Sequence, residues 1–217
     1  MTNSLLLQLT DGAITRNEEI LIAQVSLSLG AGEVSLLTGP NGSGKSTLLT
    51  ALAGEKFLSS GSLLFGGTQR AQIPLKEMSK KRSLMLQQDE AIDQLRASDV
   101  IELADIASTI PAFAKDFISK ISIDELRDKT LGSLSIGQRT RVFLAAIAIQ
   151  NSEVILLDEP TAGLDLEAIS LLSNFLVAHT QAGGAVLIAT HENSLRTIAK
   201  KEYVISEKEL KLKILSQ

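Results

Sequence analysis

A glycine-rich stretch, GPNGSGKST, constrains this chain more than any other feature, because it follows the apolar segment VSLLT and opens the helix-like segment KSTLLTALAG. It matches the pattern GxxxxGK[ST] in full. That pattern needs a buried strand, a tight loop and a helix in succession, so that backbone N–H groups and the helix N-terminus face one anion. The stretch therefore predicts a phosphate-binding loop, formed by Gly39, Pro40, Asn41, Gly42, Ser43, Gly44, Lys45, Ser46 and Thr47.

Two side chains of this loop carry distinct chemistry. Lys45 is placed to reach the β- and γ-phosphates of a nucleotide, and the hydroxyl of Ser46 suits Mg²⁺. A glycine-rich turn that matches by chance is the alternative, and the strand and helix on either side argue against it. The expected ligand is a nucleoside triphosphate with Mg²⁺.

A second motif, VILLDEP, joins an apolar run to two carboxylates. A strand over VILLD would bring Asp158 to the sheet edge beside the phosphate loop, where its carboxylate can hold Mg²⁺ directly or through water. Glu159 is then a candidate general base for an attacking water. Taken alone, the motif also fits a solvated acidic turn, and the phosphate loop upstream disfavours that alternative.

The apolar segment GAVLIATH ends in a histidine, His191. A residue just past a strand of a parallel sheet lies at the carboxyl edge, where ligands bind. The His191 imidazole is therefore predicted to hydrogen-bond the γ-phosphate or to orient Glu159 and the water. The other histidine, His179, is predicted to be a surface or packing residue on a helix.

Strand-like and helix-like segments alternate along the chain, which predicts a single α/β domain with a mainly parallel sheet covered on both faces. Residues 88–134 differ, because apolar residues recur there at helical spacing around Pro111, and they are predicted to form a helical insert. Long helices are expected from Gly137 to Gln150 and from Leu166 to about His179. The polar segment before SLML reads as a connection, and a short helix and a weak hairpin are expected at the C-terminal end.

Composition excludes several functions. The 217 residues include no cysteine, which rules out disulfides, thiolate metal sites and thiol catalysis. The net charge of −4, with both signs interspersed, gives no global attraction for nucleic acid, so no nucleic-acid partner is expected. The longest apolar run, Val142–Ile149, is too short to cross a bilayer, and the first residues show no basic leader, so a soluble cytoplasmic protein is expected.

The motifs together resemble those of the ATP-binding-cassette ATPases, the nucleotide-binding subunits of ABC transporters. GPNGSGKST, LSIGQ, VILLDEPTAGLD and ATH occur in the order and at roughly the spacing of that family. The resemblance implies an α/β fold of the P-loop NTPase (RecA-like) type, with an antiparallel β subdomain near the N-terminus and an inserted helical subdomain. The resemblance also divides the domain into three parts. Residues 1–87 would contain the β subdomain and the Walker A part of the core, and residues 88–134 would form the helical subdomain. Residues 135–217 would contain the signature helix and the rest of the core.

The resemblance also implies roles for the motifs. The glycine-rich stretch resembles the Walker A loop that binds ATP, Asp158 and Glu159 resemble the Walker B aspartate and the catalytic glutamate, and His191 resembles the switch histidine. LSIGQ resembles the signature motif, usually LSGGQ, which binds the γ-phosphate of a nucleotide held by another protomer. Two ATP molecules would then lie between two head-to-tail copies. The residues implied to bind ATP in trans are Ser135, Ile136, Gly137 and Gln138.

Two loops complete the implied site. Asp165, in AGLD, resembles the aspartate of the D-loop, which couples the two sites of the dimer. A glutamine after SLML corresponds to the Q-loop residue that contacts Mg²⁺ and the attacking water. Gln87 and Gln88 both fit, and the resemblance of RSLMLQQ to relatives favours Gln87.

The implied function is that of an ATPase subunit that drives substrate movement through separate integral membrane subunits. These would dock on residues 88–134 and the Q-loop, with the chain peripheral on the inner face of the cell membrane. The alternative is a soluble ABC-type ATPase that acts on a macromolecular assembly, for example in iron–sulfur assembly. Sustained heptads are lacking between Lys45 and Ser135, which argues against the coiled-coil DNA-maintenance relatives. The sequences beside these motifs resemble those of importer ATPases and of a haem-exporter ATPase. Import is the expected direction of transport.

Two positions depart from the family pattern. Relatives usually stack adenine on an aromatic residue upstream of the Walker A loop, whereas no Phe, Tyr or Trp precedes Phe57. Ile14 or a neighbour is expected to supply an apolar surface instead, which weakens selectivity for ATP over GTP. Ile136 stands where glycine is commonest, and is expected to tune phosphate binding rather than abolish it.

Overall fold

A computed structural model describes residues 4–16, 19–56, 58–86, 92–105 and 109–215. Its strands are β1 Leu5–Arg16, β2 Glu19–Gly30, β3 Glu33–Thr38, β4 Ser60–Phe65, β5 Thr68–Gln69, β6 Arg82–Met85, β7 Val154–Asp158, β8 Ala185–Ala189, β9 Lys201–Ser206 and β10 Glu209–Ile214. Its α-helices are α1 Lys45–Leu52, α2 Leu75–Lys81, α3 Ala97–Ala104, α4 Ala112–Lys120, α5 Ile136–Gln150 and α6 Leu166–Gln181.

A six-stranded sheet in the order β10-β9-β3-β8-β7-β6 forms the centre of the domain. Strands β9, β3, β8, β7 and β6 are parallel, and only β10 runs antiparallel to its neighbour. Every residue of β7 and β8 is buried, as their continuous apolar sequences VILLD and AVLIA predict. The carboxyl ends of β3, β7 and β8 therefore meet at one edge of the sheet.

A second, antiparallel sheet in the order β2-β1-β4-β5 covers one side of the domain. Its apolar residues, among them Leu7 and Phe65, pack with Leu48 of α1 against one face of the central sheet. Helices α4, α5 and α6 pack against the other face. Alternation along β7 shows this arrangement, because Leu156 belongs to the first cluster and Leu157 to the second.

The helical insert contains α3 and α4, which pack on α5 and α6. The rings of Phe117 in α4 and Phe175 in α6 stack with centroids 4.6 Å apart. A smaller apolar cluster joins Ala97, Leu126 and Leu131 to Val142 of α5. The predicted helical character of this region is thus present in the residues that the structure describes, while the exact three-part division of the chain stays a prediction.

One local expectation was wrong, and two others were met with differences in detail. The polar segment before β6 forms α2, a short helix that buries only Met78, so its apolar periodicity is too weak to be recognised. The expected short helix after His191 is present as a single 3₁₀ turn, Arg196–Ile198. The expected C-terminal hairpin is formed by β9 and β10, and β9 is also hydrogen-bonded to β3 and buries Tyr203 and Ile205 in the core. Within the described residues, no helix has the length and apolarity to cross a membrane.

Candidate functional site

The glycine-rich loop lies between β3 and α1, as its flanking segments predict. Gly44, the residue before α1, has a φ of 101°, which L side chains rarely adopt. At Gly39 a Cβ atom would lie only 2.7 Å from the carbonyl oxygen of Ile205 in β9. Glycine is therefore required at these two positions, by backbone conformation at one and by close packing on β9 at the other.

Lys45 folds back across this loop. Its Nζ donates to the carbonyl oxygens of Gly39 and Pro40, at 2.9 and 3.1 Å, and lies 3.0 Å from Nε2 of His191. Because an ammonium can only donate, Nε2 of His191 acts as the acceptor in this contact. Burial lowers the pKa of Lys45, and the charges of Glu159 and Asp158 offset part of that effect.

Asp158 and Glu159 follow one another at the carboxyl end of β7. Asp158 is buried, and in the part of the chain that the structure describes its Oδ2 has no hydrogen-bond partner. The same holds for Oε1 of Glu159 and for Oγ1 of Thr161. Buried oxygens without partners are costly, so three of them around one cavity indicate a place where a cation, a phosphate or water completes the contacts.

Glu159 has an unusual backbone, with a φ of 48°. Its N–H donates to the carbonyl oxygen of Ala189 in β8 at 2.8 Å. Its Oε2 accepts from the hydroxyl of Thr190 at 3.2 Å, and its Oε1 lies 3.5 Å from Nε2 of His191. A left-handed residue other than glycine persists where its surroundings hold it, so Glu159 is fixed by contacts to the end of β8.

A cavity of about 520 Å³ connects these groups. The structure thus brings together the glycine-rich loop and residues from β7 and β8, as predicted from the sequence. No residue of 135–138 is among the described residues that line this cavity. The predicted site residues at its wall are Asn41, Gly42, Gly44, Lys45, Ser46, Thr47, Asp158, Glu159 and His191.

The donors fit Mg²⁺ only with help from a ligand. Among the described residues there is no cluster of three or more His, Asp or Glu side chains that could hold a metal ion alone. Mg²⁺ prefers one or two carboxylates with phosphate oxygens and water, which is what Asp158 and the hydroxyl of Ser46 would leave room for. The unpartnered Oδ2 of Asp158 is consistent with such a ligand.

The stretch Ser135–Gln138 starts α5. Ser135 is the residue before the helix: its Oγ accepts from the N–H of Gln138 at 3.3 Å, and its own N–H donates to Oε1 of Gln138 at 3.1 Å. This reciprocal capping leaves the remaining N-terminal N–H groups of α5 unpaired within the helix, and Ile136 is exposed. The helix start can therefore receive an anion from outside the chain.

The start of α5 is tightly joined to the AGLD loop. A Cβ atom on Gly137 would collide with the carbonyl oxygen of Gly163, and Oγ1 of Thr140 donates to the carbonyl oxygen of Ala162 at 3.0 Å. Nη2 of Arg141 lies 2.6 Å from Oδ2 of Asp165. Asp165 also caps α6, because its Oδ1 accepts from the N–H of Ala168. Residues on the loop and the helix therefore form one packed unit.

Some expectations differ from the structure or fall outside it. Gln87 and Gln88 lie outside the described residues. Of the expected adenine surface, Ile14 or a neighbour, Ile14 itself is only 2% exposed and belongs to the core. Leu21 is an apolar residue that lines the cavity beside the loop. Thr190 was overlooked, although its position directly before His191 at the end of an apolar run could have marked it.

Comparison with known proteins decides the family. A family model described as ABC transporter matches residues 22–162. The chain belongs to this family. It is an ABC-type ATPase subunit, and it binds and hydrolyses ATP.

Several relatives of this ABC-type ATPase are known. A cobalt import ATP-binding protein of Rhodobacter capsulatus is 37% identical over 181 residues, which is 79% of this chain and 64% of the relative. A cytochrome c biogenesis ATP-binding export protein of Rhizobium johnstonii is 33% identical over 189 residues, or 83% of this chain and 85% of the relative. The relatives therefore include both import and export proteins, and the predicted direction stays a prediction.

The fold has close counterparts among solved structures. A dimeric ATP-binding cassette in a post-hydrolysis state, bound to ADP and phosphate, superposes with a TM-score of 0.79 at 21% identity, covering 97% of this chain and 99% of that one. At this identity the likeness concerns the fold, which is the predicted P-loop NTPase fold with an antiparallel β sheet near the N-terminus.

Proposed function

We propose that this subunit binds MgATP between the phosphate loop of one copy and residues 135–138 of a second copy, and that hydrolysis drives a membrane transporter. One observation carries the proposal. The cavity beside the phosphate loop joins Lys45, Asp158, Glu159 and His191, and none of its described lining residues belongs to 135–138, although Ile136 lines an adjoining cavity with Asp158 and Glu159. Ser135 and Ile136 are exposed at the capped start of α5, so this helix start is free to face the nucleotide of a second copy.

Within one copy, the phosphate loop would hold the nucleotide. Lys45 would leave the carbonyl oxygens of Gly39 and Pro40 and turn to the β- and γ-phosphates. The hydroxyl of Ser46 and the carboxylate of Asp158 would hold Mg²⁺, which would supply positive charge to the phosphate oxygens. Gln87 is proposed as a further contact to Mg²⁺ and to the attacking water, on the strength of the family resemblance alone.

Glu159 is the proposed general base. Its Oε1 is buried and makes no hydrogen bond to the described residues, so it is available to accept a proton from a water facing the γ-phosphate. His191 lies between Glu159 and Lys45, and its Nε2 is released when Lys45 turns to phosphate. The imidazole can then hydrogen-bond the γ-phosphate or help to hold the water.

The second copy supplies the other wall of the site. Ser135, with its hydroxyl, and Gly137 and Gln138, with the start of α5, face the γ-phosphate in trans, while Ile136 adds an apolar contact. Asp165 is proposed to couple the two sites through its packed junction with α5. Hydrolysis removes the γ-phosphate that joins the copies, so each cycle closes and opens the dimer.

The transport role needs membrane subunits. We propose that they dock on residues 88–134 and the Q-loop, with the ATPase peripheral on the inner face of the cell membrane and cytoplasmic. Leu103 in α3, which is 68% exposed, is the proposed apolar contact on this surface.

The test is affinity purification of the full chain from solubilised membranes of its own cells, followed by an ATPase assay. Wild type is expected to carry a multi-spanning membrane protein that changes its turnover, and Leu103→Glu is expected to lose it. Leu212→Glu, at a 54% exposed leucine in β10, is the matched control and should keep it. Recovery of wild type with soluble partners only, or equal recovery by Leu103→Glu, would contradict the transport role or its docking surface respectively.

A further inference from the structure

Thr190 makes the one hydrogen bond that holds the carboxylate of Glu159 among the described residues. It lies just past β8 with 2% of its surface exposed. Its Oγ1 is 3.2 Å from Oε2 of Glu159 and 3.0 Å from the backbone N of Glu192. The N–H of Glu192 can only donate, so the threonine oxygen accepts from it and the single hydroxyl proton is committed to Glu159.

The sheet fixes both partners of this hydrogen bond. The N–H of Glu159 donates to the carbonyl oxygen of Ala189, and the N–H of Thr190 donates to that of Leu37 in β3, at 2.8 and 3.3 Å. Asp158 pairs with Ala189 in the register of β7 and β8. The hydroxyl and the carboxylate therefore meet because of the strand register and not through a mobile loop.

The hydrogen bond to Oε2 of Glu159 also restricts the orientation of Oε1. The terminal torsion of a glutamate is broad and roughly two-fold, so a free carboxylate samples many orientations. With Oε2 held by Thr190, Oε1 is left buried without a hydrogen bond in the described chain and faces His191 at 3.5 Å. Only Oε1 then remains to accept a proton from water.

We propose that Thr190 is a positioning residue for Glu159, which holds Oε2 so that Oε1 faces the attacking water. The inference rests on the proposed role of Glu159 as general base. Small displacements of a catalytic group strongly lower the reaction rate, so loss of the hydroxyl is expected to reduce kcat by about 10- to 100-fold. The hydroxyl does not touch the phosphate loop, and the KM for ATP is expected to stay within about twofold.

Thr190→Val tests this directly, because valine keeps the shape and removes the hydroxyl. Thr190→Ser keeps the hydroxyl and should restore most of the turnover. Thr180→Val is the matched control: Thr180 is also buried, but its hydroxyl donates to the carbonyl oxygen of Val177 within α6. Its turnover should equal that of wild type. A raised KM with unchanged kcat in Thr190→Val, or no rescue by serine, would overturn the inference.

A second measurement separates positioning from a merely structural role. The double variant Thr190→Val/Glu159→Gln should still form an ATP-dependent dimer, because binding does not need a placed base. Loss of that dimer, when Glu159→Gln alone forms it, would show that Thr190 supports the site as a whole and would overturn the inference. Normal turnover in Thr190→Val beside an inactive Glu159→Gln refutes the role of Thr190 alone, whereas normal turnover in Glu159→Gln refutes the proposed base itself.

Discussion

Nζ of Lys45 lies 3.0 Å from Nε2 of His191, and the same ammonium donates to two carbonyl oxygens of its own loop. These contacts satisfy a charge that is partly desolvated. In the proposed function, nucleotide binding exchanges these three contacts of Lys45 for contacts with phosphate oxygens.

Lys45→Ala is expected to weaken ATP binding by about 10- to 100-fold, since a charged hydrogen bond is worth about 1.5–3 kcal/mol. The measurement is equilibrium titration of the chain with a fluorescent ATP analogue. Lys81→Ala is the control, because Nζ of Lys81 pairs with Glu153 elsewhere, at 2.7 Å. Equal affinity of Lys45→Ala and wild type would show that phosphate is held without this lysine.

Ser135→Arg is expected to abolish ATP-dependent dimerisation while each copy still binds ATP. The bulky cation takes the place of the hydroxyl at the start of α5, and the lost cap lowers stability by about 1 kcal/mol. Ser119→Arg, on the exposed surface of α4, is the control for bulk and charge. Light scattering in the presence of ATP measures the fraction of dimer. A tight dimer of Ser135→Arg would argue against the trans site.

Asp165 has two separable roles, in the cap of α6 and in the pair with Arg141. Asp165→Asn keeps a good capping side chain and should change the unfolding free energy by less than about 0.5 kcal/mol, since exposed ion pairs contribute little. Asp165→Ala removes both the cap and the ion pair, and should lower the unfolding free energy by about 1 kcal/mol more than Asp165→Asn does. Urea denaturation measures both, with Arg141→Ala as the pair-only control. Equal losses for Asn and Ala would mean that the cap contributes nothing.

His179 predicts an acid-sensitive stability. It is 4% exposed beside Phe175, and burial lowers its pKa to about 4, while a hydrogen bond with the backbone of Glu153 offsets part of the shift. The unfolded chain binds this proton near pH 6.5 and the folded chain only near pH 4, so stability falls as the pH drops through that window. Between pH 7 and pH 5, the shifted pKa of His179 should lower the unfolding free energy by about 2 kcal/mol.

Urea denaturation at pH 7 and pH 5 tests the histidine effect, with His179→Leu for comparison. Other groups titrate in both proteins, so the informative quantity is the difference between their pH dependences. The leucine variant should lose about 2 kcal/mol less than wild type over this interval. Parallel pH dependences would mean that His179 does not titrate differently in the folded and unfolded chains.

The sequence predicts the strand–loop–helix unit around Lys45 and the buried strands β7 and β8, because these depend on local apolar runs and on glycine. It cannot predict the contact between Thr190 and Glu159, which depends on the register of strands that are some thirty residues apart. The burial of β9 was missed for the same reason, since its partner β3 lies far away in the sequence. The reciprocal cap between Ser135 and Gln138 involves residues only three positions apart.

In the proposed cycle, ATP joins two copies of the chain and hydrolysis separates them. Glu159→Gln should bind ATP, lose at least about 100-fold in turnover and accumulate as a dimer. Size-exclusion chromatography with light scattering should give twice the 23.2 kDa chain mass with ATP and Mg²⁺, and the mass of a single chain with ADP. A monomer in ATP, or a dimer of equal abundance in ADP, would contradict the account.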